Sequence, residues 1–177
     1  MTTSNFLKSI GPIVQMAFVP DDFDAAVKHW TETMGVGPFF WIEHSGLENM
    51  KFKGNPSDVD FGLALGYWGD IQIELIKQHN DSASIYNTSP YARSGLHHVC
   101  LLTEDIHAAE ETVASCGGEV VFEADVPGGG GVFYADPGGQ NCLVEVLQPA
   151  PGSSAFFDMM RAASVDWDGK DPLRSLG

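Results

Sequence analysis

The sequence predicts an α+β fold built from two tandem copies of one β-α-β-β-β module. The segment that begins at Gln15 matches the segment that begins at His98, at a constant offset of 83 residues. The same offset pairs Asp22 with Asp105, each at the expected start of a helix. A repeat at fixed spacing indicates that one structural unit is used twice.

Each copy also ends in an apolar strand that contains a single glutamate. This residue is Glu74 in the first copy and Glu145 in the second. The repeat therefore offers two pairs of polar residues on apolar strands, Gln15 with Glu74 and His98 with Glu145.

The elements of the first module, residues 11–78, follow from alternating apolar runs and turn signals. After a short apolar strand, Asp21 or Asp22 caps a helix whose apolar residues recur at helical spacing. Gly35 ends that helix. Residues 44–58 are polar with interspersed glycine and proline, which indicates a long loop. The strands are predicted near residues 13–19, 39–42, 59–67 and 71–77.

The second module, residues 95–149, repeats this plan after a linker at residues 79–94 that is rich in Ser, Asn and Asp. Its helix is predicted at about residues 105–116, where two glycines end it. Its strands are predicted near residues 96–103, 119–124, 131–135 and 142–148.

The C-terminal arm, residues 150–177, lies outside the repeat. The spacing of Phe156, Phe157, Met160 and Ala163 predicts a short amphipathic helix. We expect this arm to pack on its own chain or on a partner subunit rather than to act in catalysis.

Composition excludes several classes of function. The chain has 9 Lys and Arg against 24 Asp and Glu, a net charge of −15, which disfavours binding to nucleic acids and to anionic membranes. No apolar run approaches the roughly 20 residues of a membrane span, and no signal peptide is visible. The three cysteines are isolated, which suits reduced thiols in the cytoplasm.

The four polar strand residues are candidate metal ligands. A carboxylate on an apolar strand needs a partner, and either a divalent cation or a buried Arg or Lys would supply one. Basic residues are scarce, and none lies in these four strands before Lys77. Taken singly, each candidate could be an ordinary structural residue. Together, one histidine nitrogen and three oxygen donors suit Zn, Ni, Co, Mn or Mg.

Several short motifs carry a resemblance to a known family. They are Gly35-Val-Gly-Pro-Phe-Phe, Ile73-Glu74-Leu-Ile, Gly95-Leu-His-His98-Val and Leu143-Val-Glu145-Val. With the two β-α-β-β-β modules, they resemble the vicinal oxygen chelate superfamily over residues 11–149. That superfamily includes glyoxalase I, methylmalonyl-CoA epimerase, extradiol dioxygenases and antibiotic-resistance proteins. The resemblance implies a curved mixed sheet around a cavity for metal and substrate.

The resemblance also implies a ligand set of Gln15, Glu74, His98 and Glu145 for one divalent metal ion. In the epimerase-related branch the first position is often His, whereas here it is Gln15. The resulting set resembles that of zinc-type glyoxalase I. It argues against the extradiol dioxygenases, which use two His and one Glu for iron.

The implied activity is that of a metal-dependent isomerase, epimerase or lyase acting on a small carbonyl substrate. Such an enzyme removes the proton α to the carbonyl group through an enolate. By resemblance, Glu145 is the first candidate for a ligand that also serves as the base. Glu43 is a second candidate base, although a glutamate at this position is more often an ordinary exposed residue at the end of a strand. CoA thioesters and glutathione adducts are both open as substrates.

A second class of function is a non-catalytic binding protein of the drug-resistance type, because an acidic cavity would suit a cationic drug. A homodimer is also expected, since joining edge strands hides exposed sheet edges. The sequence leaves open whether the two modules pair within one chain or across a dimer.

Overall fold

The first module contributes six strands and one helix to the computed structural model, which describes residues 7–138 and 142–176. Asp22 starts the helix, because its side chain accepts a hydrogen bond from the backbone N–H of Ala25 at 2.9 Å. The helix continues as a π-helical turn at His29–Thr33. The elements in chain order are β1 (Ile13–Phe18), α1 (Phe23–Lys28), β2 (Phe39–Ile42), β3 (Glu48–Phe52), β4 (Asn55–Pro56), β5 (Phe61–Trp68) and β6 (Ile71–Gln78).

The second module contributes four strands and one helix. Asp105 caps this helix by accepting hydrogen bonds from the backbone N–H groups of His107 and Ala108. The elements in chain order are β7 (Leu96–Leu102), α2 (Ile106–Ser115), β8 (Glu119–Val126), β9 (Gly130–Asp136) and β10 (Leu143–Gln148).

The arm adds α3 (Ser154–Ser164) and β11 (Leu173–Ser175). Met160 of α3 is fully buried against Phe40 and Leu65, so the predicted amphipathic helix packs on this chain's own sheet. The strand β11 pairs in parallel with β2, which sequence analysis did not predict. A three-residue strand among turn signals carries too little alternation to be recognised.

In the part of the chain that is described, all eleven strands form one curled sheet in the order β11-β2-β5-β6-β1-β7-β10-β9-β8-β3-β4. The modules join within the chain, where β1 runs antiparallel to β7. This pairing answers the question of how the two copies meet. The homodimer stays a prediction.

The prediction of a loop at residues 44–58 was wrong for its central part. This segment forms the β3–β4 hairpin, which pairs with β8 of the other module. Lys51 Nζ donates to Glu123 Oε1 at 2.7 Å, and Asn49 Nδ2 donates to Asp125 Oδ2 at 2.7 Å. Met50 and Phe52 pack against the core while Asn49 and Lys51 are exposed, but this alternating run is too short to be recognised without its distant partner β8.

The helices α1 and α2 cover one face of the sheet. Phe23 and Val27 of α1 pack on Ile73 and Leu75, and α2 packs in the same way on β9 and β10. The helix α3 lies over the opposite face, which is the inner side of the curl. Across residues 7–138 and 142–176, no helix is both long and apolar enough to cross a membrane.

Close packing at Gly62 generates a stability prediction. A Cβ atom there would lie 2.3 Å from the Trp41 ring and 2.7 Å from the Glu43 carbonyl oxygen. We expect Gly62→Ala to lower the free energy of unfolding by about 1–3 kcal/mol through overpacking. Gly131→Ala is the matched control, since its Cβ would meet Ile106 at an ordinary 3.6 Å. Equal urea midpoints for both variants would contradict this packing.

Candidate metal centre

The strand register places all four predicted ligands on the inner face of the sheet. Ala17 of β1 pairs with Glu74 on one side and with His98 on the other. Gln15 precedes Ala17 by two residues and therefore points to the same face. Because a small alanine separates Glu74 from His98, their longer side chains can meet above it.

A second row across the sheet has the same arrangement. Cys100 of β7 pairs with Gln15 on one side and with Glu145 on the other. The four candidates therefore alternate between two adjacent rows on strands β6, β1, β7 and β10. The centre lies over the joint between the two modules, so each copy of the repeat supplies two of its residues.

Three of the candidates converge on one point. His98 Nε2 lies 3.2 Å from Glu74 Oε2 and 3.1 Å from Glu145 Oε2. One ligand atom from each residue lies within 4.8 Å of the others, a spacing that a single metal ion could bridge. His98 is fully buried, and Glu74 and Glu145 are 5% and 7% exposed.

Apart from the contacts that His98 makes with the two carboxylates, the polar atoms at this point have no hydrogen-bond partner in the described part of the chain. Glu74 Oε2, His98 Nε2, Glu145 Oε2 and Gln15 Oε1 are all buried and make no hydrogen bond of acceptable geometry. A buried polar atom without a partner costs about 1–3 kcal/mol, and more when it is charged. A divalent cation would accept lone pairs from one nitrogen and three oxygens, so this donor set fits the metal that the family implies.

Gln15 is held with its oxygen free to act as a ligand. Its Nε2 donates to Gln72 Oε1 at 2.7 Å, and Gln72 Nε2 donates to the Tyr67 hydroxyl at 3.0 Å. These two bonds hold the Gln15 Nε2 atom towards Gln72 and leave its Oε1 atom without a hydrogen bond to any described residue. Gln15 lines the same cavity as Glu74 and Glu145.

His97 determines which ring nitrogen of a neutral His98 carries the proton. Its Nε2 lies 3.0 Å from the Ile85 carbonyl oxygen and must donate there, while its Nδ1 lies 2.9 Å from His98 Nδ1. Burial and the nearby His98 lower the pKa of His97 to about 3, so it is neutral and its Nδ1 accepts. A neutral His98 then carries its proton on Nδ1 and presents a bare Nε2 to the carboxylates.

Without a metal, a proton on His98 compensates the two carboxylates. Burial by itself lowers the pKa of His98, but the interactions with Glu145 and Glu74 outweigh it and raise the pKa to about 9. Burial also raises the pKa of Glu74, and the charge of Glu145 adds to this rise. The centre therefore favours one added positive charge, whether a proton or a metal ion supplies it.

Glu43, the second candidate base, does not join this group. Its side chain is 54% exposed and accepts a hydrogen bond from Trp41 Nε1 at 2.7 Å. Trp41 packs against Phe23 of α1, which places Trp41 and Glu43 on the helix-covered face. Ile42, between them, is the residue of β2 that faces the cavity. The alternation of β2 thus directs Glu43 away from the other candidates.

Two neighbouring cavities that share lining residues lie on the inner face. The inner chamber, about 290 Å³, is lined by Glu74 and Glu145, and the outer chamber is about 550 Å³. Gln15 borders both chambers. The arm also borders both, through Ser153 and Phe157.

Sequence analysis missed the cavity residues that lie outside the repeated positions. Phe156 and Phe157 of α3 form a wall of the inner chamber, although the arm was expected only to pack. Tyr134 also lines that chamber, and its ring meets the His98 ring edge-on at 4.9 Å. The Phe156–Met160 periodicity indicated a buried helix face but not which surface it would cover.

Comparisons with known proteins agree with this geometry. Residues 14–136 match the family model described as Glyoxalase/Bleomycin resistance protein/Dioxygenase superfamily. A hypothetical protein from Bacillus halodurans is similar in structure, with 14% identity, coverage of 78% of this chain and 94% of that chain, and a TM-score of 0.55. No curated protein matches the sequence.

Two epimerase structures are also similar. Methylmalonyl-CoA epimerase from Mycobacterium tuberculosis has 18% identity, coverage of 88% of this chain and 96% of that chain, and a TM-score of 0.54. A variant of the Streptomyces coelicolor methylmalonyl-CoA epimerase, in complex with 2-nitronate-propionyl-CoA, has 16% identity, coverage of 80% and 99%, and a TM-score of 0.51. At these identities the likeness establishes the fold.

The contact between the two histidines generates a prediction about metal affinity. His97→Phe keeps an aromatic ring but removes the acceptor that holds the His98 proton on Nδ1. We expect metal affinity to fall about 10–100-fold, the usual effect of losing a partner of a ligating histidine. His107→Phe, on an imidazole that is 88% exposed, is the control. Calorimetric titration with Zn²⁺ measures both, and equal affinities would contradict the role of His97.

The raised pKa of His98 generates a second prediction. Its folded pKa of about 9 exceeds the ordinary 6.5, so protonated His98 stabilises the metal-free fold fully below pH 6.5, and this stabilisation is lost as the pH rises towards 9. The raised pKa of Glu74 acts in the same direction. Urea denaturation with a chelator should therefore show declining stability over this window, and saturating metal should abolish the decline. Metal-free stability that stays level would contradict the arrangement.

Proposed function

Because the chain belongs to the Glyoxalase/Bleomycin resistance protein/Dioxygenase superfamily, we propose that it is a metal-dependent isomerase, epimerase or lyase that removes the proton α to a carbonyl group. The observation that carries the proposal is the buried convergence of Glu74, His98 and Glu145, whose facing atoms contact one another and have no other hydrogen-bond partner among the residues described. The structural likeness to methylmalonyl-CoA epimerases supports the same class of reaction.

Gln15, Glu74, His98 and Glu145 would hold one divalent ion from the group Zn, Ni, Co, Mn and Mg. When bound, such an ion supplies Lewis acidity, which polarises a carbonyl group and makes the neighbouring C–H bond more acidic. The remaining chemistry belongs to the side chains around the chamber.

Glu145 is the proposed base. It lines the inner chamber, so a substrate there comes within reach of its carboxylate. A carboxylate has two oxygens, so one can belong to the ligand group while the other receives the proton. Protonation of the same carbon from its opposite face by a second donor gives epimerisation, and return of the proton from Glu145 to a neighbouring atom gives isomerisation.

The apolar walls of the chamber serve this chemistry by excluding water. Phe61, Leu63, Leu65 and Val132 line the chamber beside the carboxylates. Exclusion of water strengthens each electrostatic interaction inside and protects a reactive carbanion from solvent protons. The partly buried Ser45 and Ser153 are hydroxyl groups that could hydrogen-bond to substrate oxygens.

A second candidate function is non-catalytic binding of a small molecule. The observation in its favour is that the same chamber combines apolar walls with two buried carboxylates, which would also suit an apolar cation. A metal-free protein that gains no stability from added Zn, Ni, Co or Mn would favour this function over the enzyme.

The proposed base generates a prediction about activity. Metal-loaded protein should catalyse exchange of the α-proton of a suitable carbonyl substrate with deuterated solvent. Glu145→Gln should slow this exchange about 10²–10⁴-fold, the usual contribution of a positioned base. Glu43→Gln is the control and should leave the rate unchanged, because its side chain lies on the other face.

Nuclear magnetic resonance can follow this exchange for racemic methylmalonyl-CoA, for the methylglyoxal–glutathione hemithioacetal and for small ketones. Metal content is measured on each variant, so a lost ligand is distinguished from a lost base. Full activity in a Glu145→Gln protein that retains its metal would contradict the assignment of Glu145.

A further inference from the structure

The two chambers differ in how they reach the candidate metal centre. Glu74 and Glu145 line the inner chamber, whereas the outer chamber is lined by Gln15 but by neither of these carboxylates. The reacting part of any substrate must therefore lie in the inner chamber. Its walls then decide which substituents can surround the carbonyl group.

The walls of the inner chamber are largely apolar. Among the described residues that line it there is no Lys, Arg or His. Its volume of about 290 Å³ lies at the lower end of the range for small-molecule pockets. The apolar lining residues are Ile42, Leu47, Phe61, Leu63, Leu65, Val126, Pro127, Val132, Leu147, Pro149, Ala150, Phe156 and Phe157.

The outer chamber offers an anionic substituent one basic side chain among its described lining residues. Arg161 is the basic residue among its described lining residues, and it is already paired with Asp70 at 3.0 Å. The Arg161 guanidinium also lies 4.5 Å from the centre of the Tyr67 ring. Glu104 and Asp158 line the same chamber and add negative charge.

The described lysines lie outside both chambers. Lys51 is paired with Glu123, and Lys53 lies over the rings of Phe52 and Tyr91 on the outside of the β3–β4 hairpin. Phosphate groups are usually bound by Lys and Arg side chains or by helix N-termini. Among the residues that the structure describes, neither chamber therefore offers a cluster of basic side chains to the phosphates of CoA or to the two carboxylates of glutathione, although the N-terminus of α3 at Ser153 and Ser154 borders the outer one.

We propose that the inner chamber takes a small carbonyl compound with an apolar side chain, and that the substrate carries neither a CoA nor a glutathione moiety. This inference rests on the proposed function, because it concerns the substrate class of the same centre. The apolar side chain lies between the aromatic wall from α3 and the strands β5 and β9, with the carbonyl group directed at Glu145.

Alkyl hydroxamic acids are suitable probes, because their two adjacent oxygens chelate a divalent metal and their alkyl tail then extends into the chamber. The series runs from acetohydroxamate to hexanohydroxamate and is titrated calorimetrically into Zn²⁺-loaded protein. We expect affinity to rise about 3–4-fold for each added methylene group until the chamber is full, as expected for burial of apolar surface. CoA and glutathione, added as competitors, should leave these affinities unchanged.

The wall from α3 provides a matched pair of variants. Phe156→Ala enlarges the inner chamber, so the longest hydroxamates should gain affinity relative to the shortest. Met159→Ala changes the same helix at a side chain that is 41% exposed and lines neither chamber, so it should leave the series unchanged.

Each contrary outcome has a separate meaning. Metal content is measured first, and a protein that binds no metal overturns the proposed function and this inference with it. Affinity that stays constant along the series, failure of every hydroxamate to bind loaded protein, or displacement by CoA or glutathione would overturn the inference alone. Tighter binding of an alkyltrimethylammonium ion than of any hydroxamate would also overturn it, in favour of the cation-binding function.

Discussion

The burial of two carboxylates beside one imidazole is the constraint on which the rest of the structure depends. Glu74 and Glu145 carry like charges into a water-poor interior, and their oxygens lie 3.1–3.2 Å from a single His98 nitrogen. Such a group is stable only with an added positive charge. The antiparallel pairing of β1 with β7 brings these residues together. It gives the strand order β6-β1-β7-β10, so the strands that carry Glu74, His98 and Glu145 lie close to one another.

The repeat made much of this centre predictable from sequence. Strand alternation and equivalent positions in two copies were enough to select Gln15, Glu74, His98 and Glu145 as candidates. Alternation can be read from each strand alone, and the repeat shows the same strand positions twice. For Glu43, the second candidate base, such reasoning left the direction of the side chain open. In the all-apolar strand β2, alternation cannot indicate which face is inner, and only the packing of Trp41 on α1 decides it.

Features that depend on distant contacts were not predictable. The β3–β4 hairpin is specified by its pairing with β8, more than 70 residues further along the chain. The arm has no counterpart in the repeat, so nothing in its own periodicity indicates that Phe156 and Phe157 cover the cavity. The two chambers follow from that placement, and with them the difference between an inner space without charged residues other than Glu74 and Glu145, among the described residues that line it, and an outer one that includes Glu104, Asp158 and Arg161.

The two halves of the centre are held by different networks. His98 is oriented by His97 and, through it, by the Ile85 carbonyl oxygen. At the equivalent position of the first copy, Gln15 is oriented by Gln72 and, through it, by Tyr67. An amide oxygen is a neutral donor, so Gln15 would add a ligand without adding a charge, and the two carboxylates would balance a divalent ion. The difference between the two copies would then determine the charge of the proposed centre.

Anomalous diffraction from crystals grown with Co²⁺ shows directly whether these residues bind a metal ion. We expect one ion per chain at the joint of β1 and β7, with ligand distances of about 2.0–2.2 Å to Gln15, Glu74, His98 and Glu145. An ion bound elsewhere, or crystals of metal-saturated protein with no anomalous peak beside His98 Nε2, would contradict it.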